Sequence, residues 1–252
     1  MRTFLNNETL NKYSRQIILK DIGIVGQKKI LNSKVLVIGA GGLGSAIIDL
    51  LVRAGIGHLG IIEHDKVHCS NLHRQTLYAS KDVNKYKVDI VKKKIKLVNS
   101  EIKLEIFNEK AIDKNVKKIL PKFDIVIDGT DNFPTKFLLN KYSLKYKKKL
   151  IIGAISKFDG HIFCFDFSKK GIACLNCFYQ GMPSDEILNC ESEGILGPTA
   201  NVIGSMQANE ALKFILGVKN NSKNKIIIMD LLNLTLRKVN FKKRNNCTCL
   251  KR

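Results

Sequence analysis

The stretch "KVLVIGAGGLGSAIIDLLVRAG", Lys34 to Gly55, limits what this chain can fold into more than any other. An unbroken aliphatic run ends at Gly39, and Gly39, Gly41 and Gly44 then form a G-x-G-x-x-G turn that opens a helical pattern. A strand that is apolar at every position must be covered on both faces, so it belongs inside a sheet with helices above and below. The glycines allow positive φ and close backbone approach, which lets the N–H groups at the helix start face a phosphate chain. Between a strand and a helix, this turn is a nucleotide-binding fingerprint.

The alternation continues past the turn. "GHLGIIE", "IKLEIF", "FDIVIDG" and "KLIIGAI" read as further strands, separated by helical patterns at "YKVDIVKKKIKLV", "DKNVKKIL" and "NFPTKFLLNKYSLKY". Alternating strands and helices over residues 34–155 predict an α/β, Rossmann-like, doubly wound and mostly parallel sheet with right-handed crossovers. Residues 1–33 precede it as N-terminal helices: one amphipathic helix over Glu8–Leu19, carried by Leu10, Tyr13, Ile17 and Ile18, and a short one at "VGQKKILNS". Residues 156–252 read differently, as an alternating antiparallel strand "GHIFCFDF", an irregular stretch from Cys174 to Pro198, a long helix ended by Gly217, and strands at "KIIIMD" and "TLRKVNF". With 252 residues, 44% of them hydrophobic, the whole reads as one nucleotide-binding domain.

The loop after the second strand, "EHDKVHCSNLHRQ", is unusually rich in functional side chains. Glu63 lies nineteen residues after Gly44 at a strand end, where an acid accepts hydrogen bonds from ribose hydroxyls. Asp65, Asn71 and Arg74 follow it, then Lys87, and Asp131 comes after the fourth strand in "DGTDN". A dinucleotide-dependent oxidoreductase would hold its pyrophosphate mainly with backbone amides. Two cations and a carboxylate around one glycine turn suit a triphosphate with Mg²⁺ better, the cations meeting phosphate oxygens and the acid meeting the metal. Taken singly, Arg74 is an ordinary loop residue, Asp131 reads equally as a first-turn acid of the next helix, and Asn132 reads equally as its cap. Their conjunction points to a site.

The net charge of +21 raises nucleic acid as a partner, but the excess is lysine spread along the whole chain, with few arginines and no interleaved aromatic stripe. It reads as solvated surface that can attract an acidic protein. No basic leader followed by an apolar stretch opens the sequence, and no run approaches the roughly 18 apolar residues of a membrane span, so a cytoplasmic location is expected. Seven cysteines then argue for metal or reactive roles. Cys174 and Cys177 in "CLNC" form half of a zinc knuckle, and Cys69 and Cys164 read as packing residues.

"YSRQI", "VLVIGAGGLGS", "SNLHRQTLY", "KYKVD", "DGTDN", "CLNCF", "CESEGILGP" and "GSMQANEALK" occur in an order and spacing by which the chain resembles the MoeB/ThiF/HesA adenylyltransferases over nearly its full length. The resemblance implies a homodimer that activates the C-terminal Gly-Gly of a ubiquitin-like, β-grasp sulfur-carrier protein with ATP and Mg²⁺, with a sulfurtransferase or desulfurase as a further partner. By matching position, Arg15 is the arginine that reaches into the neighbouring subunit's site. Arg74 and Lys87 are the phosphate cations, Asp131 the Mg²⁺-linked carboxylate, Glu63 the ribose acid and Asn71 a residue near the nucleotide. Gly42 and Asn132 stand in the same nucleotide-binding motifs. Cys190 matches a mobile-loop cysteine that in the thiazole branch bonds covalently to the carrier. The family closes a structural Zn²⁺ site with a second C-x-x-C, where this chain has C-x-C, Cys247 and Cys249. Which branch applies, molybdopterin, thiamine or another, stays open. So do a tRNA threonylcarbamoyladenosine dehydratase, a nicotinamide-dependent oxidoreductase and a non-catalytic module that docks a ubiquitin-like tail.

Overall fold

The structure is a computed structural model and describes residues 5–183, 194–218 and 224–247. Cys190 and Cys249 lie outside the described residues. Helices α1 (Asn7–Lys12), α2 (Ser14–Ile17) and α3 (Gly23–Leu31) lead into β1 (Lys34–Ile38), α4 (Gly42–Ala54) and β2 (His58–Ile62). Then come α5 (Lys87–Val98), β3 (Lys103–Phe107), α6 (Asp113–Ile119), β4 (Ile125–Asp128), α7 (Phe133–Lys145) and β5 (Lys149–Ser156). The remainder is β6 (Asp159–Asp166), α8 (Leu175–Tyr179), α9 (Gly197–Leu216), β7 (Lys225–Asp230) and β8 (Thr235–Asn240).

One eight-stranded sheet runs in the order β3-β2-β1-β4-β5-β6-β7-β8. The first five are parallel, and β6, β7 and β8 are antiparallel additions. Side chains alternate across a strand, and β1 shows why its sequence is apolar throughout. Val35 and Val37 join a cluster with Ile47, Leu51 and Ile203 on one face, while Leu36 and Ile38 join Val116, Leu120 and Leu139 on the other. Each such side chain contributes about 1.5–3 kcal/mol by leaving water. The doubly wound expectation is met, and with it the antiparallel C-terminal strands.

The N-terminal helix expected over Glu8–Leu19 is instead two short helices broken at Tyr13. Tyr13 turns inward, 4% exposed, and its hydroxyl accepts a hydrogen bond from Asn99 Nδ2 at 3.1 Å. Its ring lies where a side chain on Gly55 would stand. That anchor outweighs the helical period, and Ile18 and Leu19 are left exposed. Cys69, expected in packing, is also exposed, in a turn after β2, whereas Cys164 is buried in β6.

Candidate active site

In an open parallel sheet, ligands bind beyond the carboxyl ends of the strands where the strand order reverses, here between β1 and β4. The cleft at that edge is lined by Gly39, Gly41, Gly42, Glu63, Asp65, Arg74, Gln75, Lys87, Thr130, Asp131, Asn132 and Lys136, among others. The glycine turn is held from both sides. Ala40 N–H donates to Glu63 Oε2 at 2.8 Å, and the Ala40 carbonyl accepts from the Tyr78 hydroxyl at 2.8 Å. Burial, reinforced by the Glu63 carboxylate, pushes the Tyr78 phenol far above its ordinary range, so it remains a donor. Gly39 has φ +87°, open to glycine alone without strain, and a side chain on Gly44 would strike the Gly39 carbonyl. Gly44 therefore lies under the cleft and closes the strand onto the helix.

Glu63 is buried, and its other oxygen, Oε1, takes the backbone N–H groups of His64 and Asp65 at 2.7 and 2.9 Å. Lys87, at the start of α5, is also buried, with Nζ 3.2 Å from Asp65 Oδ2. An ammonium carries three donors and, among the described residues, Asp65 takes one, so two remain for a ligand. Arg74 Nη1 donates to the Ser70 carbonyl at 2.9 Å and lies 2.7 Å from His73 Nε2. Its stem runs beside Gly42, and α9 supports its backbone through Asn201 Nδ2.

Asp131 is not a first-turn acid. Helix α7 begins at Phe133 with Asn132 as its cap, whose Oδ1 accepts from Thr135 N–H at 3.0 Å, so Asp131 precedes the helix. Its carboxylate is exposed and forms no ion pair among the described residues. Asn71 does not line the cleft. Its side chain takes the His68 N–H and its carbonyl takes those of Arg74 and Gln75, so it shapes the loop that presents both. Arg15 is exposed on α2, away from the cleft lining.

Thr130 and Lys136 are among the lining residues that went unmarked in the sequence, and Gln75 was marked only as part of the loaded loop. Gln75 is buried beside Gly41, with an Oε1 that has no partner among the described residues. Thr130 hydrogen-bonds through N–H and hydroxyl to Asp128 Oδ1. Lys136 is buried in an ion pair with Asp128 at 2.6 Å. An acid ending a strand and a lysine one turn into the next helix is the pattern that would have marked this pair, but it is hidden in a chain with 43 Lys and Arg.

Away from the cleft, Cys174, Cys177 and Cys247 are all buried, with Sγ separations of 3.8 Å (Cys174 to Cys177) and 3.5 Å (Cys174 to Cys247). Tetrahedral zinc with Zn–S bonds of about 2.3 Å sets sulfurs about 3.8 Å apart, so the three thiols have metal-site spacing. Arg244 N–H points to Cys177 Sγ at 3.5 Å, the kind of outer contact that supports a thiolate.

The ThiF family matches residues 13–250 of the chain. Over 95% of this chain and 90% of its own length, the sulfur carrier protein adenylyltransferase of Thermus thermophilus is 35% identical. The adenylyltransferase and sulfurtransferase MOCS3 of Culex quinquefasciatus is 38% identical over 90% of this chain, which spans about half (52%) of that longer protein. Among solved structures, E. coli MccB with ATP superposes with a TM-score of 0.82 at 25% identity, covering 95% of this chain and 74% of that one. With its cleft, its strand order and these relatives, the chain belongs to the ThiF family and is one of its adenylyltransferases.

Proposed function

We propose that the protein uses ATP to adenylate the C-terminal glycine of a ubiquitin-like sulfur-carrier protein ending in Gly-Gly. The observation that carries this is the meeting of Arg74, Lys87 and Asp131 at one glycine turn, in a chain like the Thermus sulfur carrier protein adenylyltransferase along nearly its whole length. The likeness to MccB, a protein solved with ATP, supports the same nucleotide.

A carboxylate oxygen of the carrier attacks the α-phosphorus. The bond from that phosphorus to the oxygen bridging the β-phosphate breaks, and pyrophosphate leaves with the electron pair. No protein nucleophile takes part, so the rate comes from positioning and from charge placed against the phosphates. Lys87 and Arg74 donate to phosphate oxygens with the donors their protein partners leave unused. Glu63 meets the ribose, and the glycine-turn amides face the phosphate chain. Asp131 fits as a ligand for Mg²⁺ because no cation neutralises it among the described residues. Mg²⁺, when bound, would add neutralisation of the triphosphate charge.

The subunit acts as a homodimer in which exposed Arg15 serves the neighbouring site. Cys174, Cys177 and Cys247, with Cys249, hold a structural Zn²⁺, and a sulfurtransferase or desulfurase receives the activated carrier. Cys190 is its covalent acceptor if the protein works in the thiazole branch. Incubation with ATP and candidate carriers ending in Gly-Gly, followed by intact mass measurement, should reveal an AMP adduct on the carrier. Absence of an adduct with every such carrier would remove this assignment.

A further inference from the structure

Lys136 is the most completely buried cation in the described chain, 2% exposed, and it lines the cleft without being free to touch a ligand. Its ammonium has three donors, and three acceptors surround it: Asp128 Oδ2 at 2.6 Å, the Thr130 carbonyl at 2.7 Å and the Gly153 carbonyl at 2.7 Å. No donor is left over. Lys87 also lines the cleft but is arranged otherwise, with one side-chain acceptor among the described residues and donors to spare.

The three acceptors come from two strands and the loop that follows the first of them. Asp128 ends β4, Thr130 immediately precedes Asp131, and Gly153 lies in β5 just before Ala154 and Ile155, which also line the cleft. From α9, Gln207 Nε2 donates to the Asp128 carbonyl at 2.8 Å, and its amide lies where a side chain on Gly153 of β5 would stand. Among the described residues the loop bearing Asp131 is otherwise tied by the Gly129 N–H to the Ile38 carbonyl at 2.8 Å and by Thr130 to Asp128, while Asp131 itself has only Asn132 at 3.5 Å.

We infer that Lys136 is a positioning residue of the adenylation site: it binds the carboxyl ends of β4 and β5 together and fixes the backbone that presents Asp131. This rests on the proposed role of Asp131. Misplacing a charged group by an ångström is enough to cost about a hundredfold in rate.

Lys136→Met alone leaves the Asp128 carboxylate buried without its cation and can unfold the protein, so the decisive variant is the double Asp128→Asn, Lys136→Met, which removes both charges together. The readouts are ATP–pyrophosphate exchange with carrier across a Mg²⁺ titration, thermal unfolding, and hydrogen exchange of the backbone amides at 129–132. The double variant should unfold cooperatively, bind ATP without Mg²⁺ as the wild type does, and show faster amide exchange at 129–132. Its turnover should fall about tenfold or more, with a several-fold higher half-saturating Mg²⁺. A folded double variant whose amide exchange, turnover and Mg²⁺ requirement all stay within about twofold of wild type would overturn the inference. If the single variant alone folds, the same comparison applies to it. If the wild type exchanges no pyrophosphate, the adenylation reading fails instead, and the amide exchange still decides whether Lys136 holds the loop.

Discussion

Asp131 and Lys87 bring opposite charges to one cleft, and each is kept available in its own way. Lys87 is buried but only partly satisfied, its one side-chain partner among the described residues, Asp65, being half exposed and able to give way to phosphate. Asp131 stays in solvent, outside the helix and outside any ion pair among the described residues. Asp131→Ala should therefore lower adduct formation about a hundredfold or more while changing stability by less than about 0.5 kcal/mol, since an exposed loop carboxylate packs against nothing. Adduct formation at the wild-type rate, measured by intact mass under single turnover, would show that Asp131 does not serve the phosphates. Gly44 answers to sterics alone. Gly44→Ala drives a methyl group into the Gly39 carbonyl, which sits in backbone and cannot rotate away, and should cost about 3 kcal/mol in denaturant unfolding.

At the scale of elements, what the sequence disclosed depended on how local the governing force was. Strands β1, β2, β4 and β5 were plain because burial on both faces demands apolar residues at every position. Helix α9 was equally plain in its long pattern and its end at Gly217, which adopts φ +75°. The broken N-terminal helix was not, because Tyr13 is drawn to Asn99 and Gly55, partners far away in sequence. The same holds in the cleft. Glu63, Arg74, Lys87 and Asp131 follow from motif and spacing, while the Lys136 ammonium is fully satisfied only with Gly153, on a strand that the sequence does not tie to it. Two histidines give the strands a pH response. Burial is the first cause holding both His58 on β2 and His161 on β6 below the ordinary imidazole value. The unfolded chain then takes up these protons more readily, so stability is full above about pH 6.5 and declines as pH falls through the folded values. Denaturation midpoints at pH 7.5 and 5.5 should differ more for wild type than for the His58→Gln, His161→Gln variant. Equal differences would mean that the two sites are solvated.

Across the whole molecule, the parallel half of the sheet makes the nucleotide cleft, and the antiparallel half carries the chain to the cysteine cluster. Cys247 lies 3.5 Å from Cys174, so the tail is tied back to the start of α8 at a distance of 73 residues in sequence. A metal there should stabilise the fold mainly through that connection. Protein treated with a strong chelator, or carrying Cys247→Ser, should lose zinc by mass spectrometry and melt lower by roughly 5 °C or more. An unchanged Tm would mean that the thiols pack without an ion. No helix among the described residues is long and apolar enough to cross a membrane. The assignment as a whole turns on where the nucleotide lies. A crystal structure with a non-hydrolysable ATP analogue and Mg²⁺ should show the triphosphate against the Gly39–Gly44 turn, with Lys87 and Arg74 on phosphate oxygens, Asp131 at the metal and the α-phosphorus open toward the end of β5. A triphosphate bound elsewhere, or NADH occupying the cleft in preference to ATP, would contradict it.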